Sequence, residues 1–174
     1  MNKTTEKIVM TGFFIALGTI LPQLFHVAQL GNVISPMHFT VLLCGLLLGS
    51  KYGVACGILT PLLASLLFGK PIIFPNGLSM AIELAIYGLI SGLIKSKIKV
   101  SKDSYINLYV ILVIAMLLGR VAAISTNYIL FLTGKSANSF IAYLKILFIT
   151  GLPGIVLQLL LLPPIYLRIN KLKN

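Results

Sequence analysis

Residues 105–132 read YINLYVILVIAMLLGRVAAISTNYILFL, a continuous apolar run interrupted by one charged side chain, Arg120. About 20 apolar residues in a helix suffice to cross the hydrocarbon core of a bilayer. This run is too long and too apolar for a buried helix of a water-soluble domain. The rest of the chain agrees: of 174 residues, 58% are hydrophobic and 10% charged, with a mean hydropathy of +1.03. A soluble domain of this size has no interior large enough for so much apolar surface. The chain is expected to be an integral membrane protein.

Five further apolar segments lie around that run, at about 8–25, 37–49, 52–67, 76–95 and 139–168. Pro22 falls near the end of the first, and Pro153 is expected to kink the last. The pattern predicts an all-α fold with six transmembrane helices in a single membrane domain, 1–174. The first run follows Lys3 and Lys7 and could pass for a signal peptide, but no small-residue cleavage site follows it, so it is read as a helix. Segments 37–49 and 52–67 are too short to cross upright alone. Non-helical backbone at their outer ends must then be buried in protein or line a wet cavity.

Net charge is +11. Most basic residues sit between the apolar runs, so the charge reads as membrane topology rather than nucleic-acid binding. With the N-terminus inside, Lys3, Lys7, Lys51, Lys95, Lys97, Lys99, Lys102, Arg168, Lys171 and Lys173 face the cytoplasm, against Lys70 and Lys135 outside. That asymmetry predicts that both termini are cytoplasmic, in a multi-pass protein of the bacterial plasma membrane. The outward connections are 26–36, 68–75 and 133–138. The first two carry proline and polar groups and read as ordered caps.

Enzyme signatures are missing. There is no G-x-S-x-G, no Asp dyad and no phosphate-cradling loop. Cys44 and Cys56 lie in apolar segments without C-x-x-C spacing, which argues against a disulfide or a metal. His26 and His38 have no H-E-x-x-H context. No catalytic residue, metal or cofactor is expected. Without a nucleotide-binding motif, active transport would need an external motor.

Three ionisable residues fall inside apolar segments: Glu83, Arg120 and Lys145. Such residues usually face the bundle interior and pair, or mark a substrate path. At about 1.5 Å per residue, Glu83 lies about 10 Å below Asn76 and Lys145 about 9 Å below Ser139. Arg120 is about 18 Å from the outer end of its segment, with a side chain long enough to rise. All three are expected to meet in the outer half. Asn76, Met80, Glu83 and Tyr87 follow an i, i+4, i+7, i+11 pattern on one face, and Arg120 shares a face with Asn127. A buried ion pair would account for one cation. Two cations beside one carboxylate leave an uncompensated charge, which is expensive. A ligand carboxylate would complete the set.

Gly45, Gly49, Gly53 and Gly57 recur every four residues, a spacing that lets membrane helices approach closely. Gly12 and Ala16 repeat it on the first segment. That pair suits either internal packing or a partner helix.

The stretches G12FFIALGTILPQLFH26, P36MHFTVLLCGLLLGSKYGVACGILTPLLASLLFGKPIIFP75, E83LAIYGLISGL, G119R and T150GLPGIVLQ158 resemble the substrate-binding S components of energy-coupling factor (ECF) vitamin transporters. The likeness covers nearly the whole chain and is nearest to the pantothenate-like branch. It implies a six-helix protein that binds a water-soluble vitamin on its outer side, under the first and third loops and among the last three helices. It implies as partners a membrane coupling subunit and two cytoplasmic ATPases, and a toppling motion that releases substrate. The family's A-x-x-x-A docking motif corresponds to Gly12 and Ala16, here with glycine first.

The resulting expectation is a pantothenate-binding S component. Arg120 and Lys145 hold the carboxylate, Glu83 orients a cation, His38, Asn76, Tyr87 and Asn127 are further ligand contacts, and loop 26–36 is the gate. The rivals are an S component for cobalamin or a folate- or pyrimidine-type ligand, a small intramembrane enzyme using Glu83 with a histidine, and a structural subunit without a ligand.

Overall fold

The computed structural model describes residues 2–27, 36–98, 105–133, 145, 149 and 151–172. Six helices make up most of these: α1 Lys3–Val27, α2 Pro36–Leu48, α3 Ser50–Phe68, α4 Leu78–Lys97, α5 Tyr105–Leu132 and α6 Leu152–Leu172. No strand occurs among the described residues. A wider turn, Ile73–Gly77, leads into α4, and the Lys70–Pro71 and Phe74–Pro75 peptide bonds before it are cis. Five spans are long and apolar enough to cross a membrane, and Pro36–Leu48 is a shorter apolar helix.

Two segment expectations need correction. The third segment is 19 residues long and qualifies as a span, because helix continues to Phe68 before Gly69 ends it in the left-handed region at φ 70°. Glycine reaches that conformation without a Cβ penalty. In the last segment Lys145 and Ile149 have helical backbone, and the break lies just before Pro153 rather than at it. Gly151 is a turn, and α6 starts at Leu152 with Pro153 as its second residue. Proline lacks the N–H that a helix interior needs but fits the first turn, where that donor has no partner anyway. Here it opens a helix rather than bending one.

α4 and α2 form the centre. α4 packs on α2, α3 and α5, while α2 packs on α1, α3, α4 and α6. Half of the most apolar window of Ile73–Lys97 is buried, against 28% for Lys3–Phe25, so α1 is peripheral. The core gathers Val41, Leu42, Leu46, Leu84, Tyr87, Leu108, Leu112 and Leu162. Many apolar side chains remain outside, among them Phe13, Leu66, Leu117 and Leu160. In a bilayer they meet lipid tails as apolar as themselves, so their exposure is no liability.

The glycine repeat is spent on backbone contact. A Cβ on Gly53 would fall within 3.0 Å of the Gly88 carbonyl, and one on Gly57 would strike the Leu84 carbonyl. Gly45 abuts Gly88 and Ser91, and Gly92 abuts the Ser50 backbone. Gly49, at φ 101°, makes the tight reversal between α2 and α3 that side-chain-bearing residues rarely adopt. These contacts align α3 and α4 antiparallel. They also bring Gly49, Ser50 and Gly92 to one end of the bundle, where Lys7 stands 5.6 Å over the Tyr52 ring. The starts of α2 and α4 lie at the other end.

Candidate functional site

At that other end His38 is the third residue of α2 and Glu83 the sixth of α4. α5 runs past α4 so that Gly119 lies against Tyr87 and Asn127 reaches Ser79. This register brings Arg120 beside Glu83. The carboxylate is 6% exposed, and three side chains converge on a single oxygen of it. The Tyr87 hydroxyl donates to Oε1 at 2.9 Å, Arg120 Nε lies 3.5 Å from Oε1, and His38 Nε2 lies 3.8 Å from it. The His38 and Tyr87 rings meet edge-on, 5.5 Å between centroids. His38 Nδ1 is buried without a hydrogen-bond partner among the described residues.

A charge at the centre of a membrane helix costs about 2.5–3.5 kcal/mol on insertion scales. Opposite charges at ion-pair distance, supplemented by a hydroxyl donor, offset much of that cost. The Glu83–Arg120 pair expected from the sequence is therefore formed. His38 and Glu83 are near one another but beyond hydrogen-bond distance, and no group of His, Cys, Asp and Glu able to hold a metal occurs among the described residues.

Lys145 does not join them. It is exposed and makes no ion pair with Glu83 among the described residues. Among the described residues one carboxylate therefore faces one permanent cation.

The remaining expected positions divide. Tyr87 is 1% exposed and lies within the cluster. Asn127 is buried and donates to Ser79 Oγ and to the Ala123 carbonyl at 3.0 Å, so it clasps α5 to α4. Asn76 is exposed in the turn before α4. The His26 side chain and residues 28–35 of the expected gate lie outside the described residues. Gly12 and Ala16 are both exposed, with Val9, Phe13 and Ile20 on the same side of α1, and nothing lies within 4 Å of a Cβ built on Gly12. Sequence reasoning missed Ser79 and Gly119 as site-builders. Ser79 is four residues before Glu83 and so on its face, a signal open to notice; Gly119 carried none beyond its place next to Arg120.

The described residues thus form a helical bundle with a buried ionic and hydrogen-bonding cluster near one end. The family described as ECF transporter, substrate-specific component, matches residues 6–166, and the chain belongs to it. That family is one of membrane transporter components and not of enzymes. An uncharacterized protein of Mycoplasma pneumoniae is 35% identical over 83 residues, which cover 44% of this chain and 27% of that protein. The chain thus matches well under half of that relative's length. No solved structure matches.

Proposed function

We propose that this chain captures a water-soluble vitamin outside the cell and delivers it through an ECF module, with pantothenate as the first ligand to test. The observation that carries the proposal is the Glu83–Arg120 pair, buried with His38 and Tyr87 where α2 and α4 begin. A transport subunit with few charges that spends two of them at one end of its bundle has a reason to keep them there. The guanidinium matches a carboxylate by its planar fork of donors. Glu83 suits hydroxyl and amide donors. Pantothenate supplies both kinds of group. With Lys145 apart from the pair, Arg120 alone carries the carboxylate contact, and Asn76 stands at the mouth.

In this reading the lysine-rich end faces the cytoplasm and the Glu83 end faces outward, as the distribution of basic residues favours. The exposed Gly12–Ala16 face of α1 meets the coupling subunit, and two cytoplasmic ATPases supply the energy. Equilibrium binding of radiolabelled pantothenate to the chain in lipid nanodiscs tests the assignment, with other water-soluble vitamins as competitors. Saturable binding that Arg120→Ala removes supports it. Binding of another vitamin alone would move the substrate, and binding insensitive to Arg120 would move the site.

A further inference from the structure

The three groups around Glu83 are not equivalent. Only Tyr87 reaches hydrogen-bond distance of Oε1, at 2.9 Å; Arg120 Nε and His38 Nε2 stand at 3.5 and 3.8 Å. The phenol has little freedom to leave. Its side chain is buried, its ring lies against Gly119 so closely that a Cβ there would overlap ring carbons, and its edge meets His38. Tyr87 is also one turn along α4 from Glu83, so their separation is set by the helix itself. No described residue donates to the second oxygen, Oε2.

We propose that Tyr87 is a positioning residue rather than a ligand contact: seated on Gly119, it holds Glu83 Oε1 and leaves Oε2 as the acceptor for an N–H or O–H of the substrate. The inference rests on the Glu83 cluster being the ligand site. It assigns a selectivity to that site. A molecule offering a donor at Oε2 is favoured, whereas one presenting an anion or an apolar group there leaves a buried carboxylate oxygen without a partner, which is costly. Gly119 becomes a specificity determinant at one remove, because any larger residue displaces the ring.

The chain has two glutamates, Glu6 and Glu83. In a Glu6→Gln background, carboxyl-13C glutamate therefore gives an infrared carboxylate signal from Glu83 alone, read in nanodiscs without ligand. Tyr87→Phe should shift that signal, and Gly119→Ala should shift it the same way. Tyr166→Phe, at a second buried tyrosine that forms no hydrogen bond to Glu83 among the described residues, should leave it unmoved. Incorporation of 3-fluorotyrosine, a stronger donor that preserves the fold, should shift it in the opposite direction to Tyr87→Phe. A signal unmoved by both Tyr87→Phe and 3-fluorotyrosine overturns the proposal, as does an equal shift from Tyr166→Phe. With pantothenate as the probe, Tyr87→Phe should weaken binding about tenfold, the scale of one hydrogen bond to a charged group; unchanged affinity also overturns it. If Glu83→Gln leaves pantothenate binding intact while the infrared shifts appear, the ligand-site reading fails and the Tyr87–Glu83 link stands.

Discussion

Gly53 of α3 lies directly against Gly88 of α4, backbone on backbone with no side chain between them. One turn further on, Gly57 meets the Leu84 carbonyl, and the next residue back along α4 is Glu83. The glycine seam therefore does more than pack two helices: it sets the height at which the carboxylate faces α2 and α5.

Gly53→Val or Gly57→Val should destabilise the bundle by about 1–3 kcal/mol or more, since the clash is with backbone that has no rotamer to change. Cys44 and Cys56 are buried free thiols and suit the measurement. A thiol-reactive dye should label them at a lower temperature in either variant than in the wild type.

Gly12→Leu should leave the same unfolding temperature nearly unchanged, within the range of about 0.5 kcal/mol usual for open surface positions. It should instead block assembly with the coupling subunit. Copurification of the tagged module with wild-type and variant chains checks this, and a variant that assembles normally removes α1 as the docking face.

Glu83→Ala should cost about 1–3 kcal/mol, because it removes the carboxylate that faces the half-buried Arg120 guanidinium. Replacing both partners with neutral groups, Glu83→Gln with Arg120→Gln, should cost clearly less than the single change. The four-variant thermal cycle measures this, and additive losses would show that the two side chains do not interact.

Arg120→Ala should weaken ligand binding by about 2 kcal/mol or more, which is at least roughly thirtyfold. Lys145→Ala should stay within about twofold. Nanodisc binding on the two variants separates the structure's account from the three-member cluster that the sequence alone suggested.

Asn127→Ala and Ser79→Ala should each cost about 0.5–1.5 kcal/mol through the loss of the buried hydrogen bond that joins them. Their combined effect should fall short of the sum, since they share one contact. Thermal unfolding of the single and double variants reads the coupling.

Much of this arrangement is legible in the sequence for physical reasons. The bounds of α5 agree with the apolar run 105–132 because lipid leaves little choice: backbone must be helical and side chains apolar over its thickness. Scarcity of charge made the Glu83–Arg120 pair legible, since an acid inside the membrane has few partners to choose from. The start of α6 at Leu152 was not legible in hydropathy, which does not register a break inside an apolar stretch, although Gly151 and Pro153 mark it. The Asn127–Ser79 clasp was hidden for a different reason. A serine in a membrane helix bonds as readily to its own backbone as across the interface, so composition alone names no partner. Gly119 could be interpreted only once the Tyr87 ring was seen lying on it.

The most direct measurement of the central claim is native mass spectrometry of the chain purified from cells, with any retained small molecule identified after release. The expected result is one polar molecule of vitamin size bound per chain on the wild type, lost on Arg120→Ala and kept on Lys145→Ala. A wild-type chain that retains nothing and takes up none of the water-soluble vitamins added to it, while still folded by the thiol-dye test, would contradict the account.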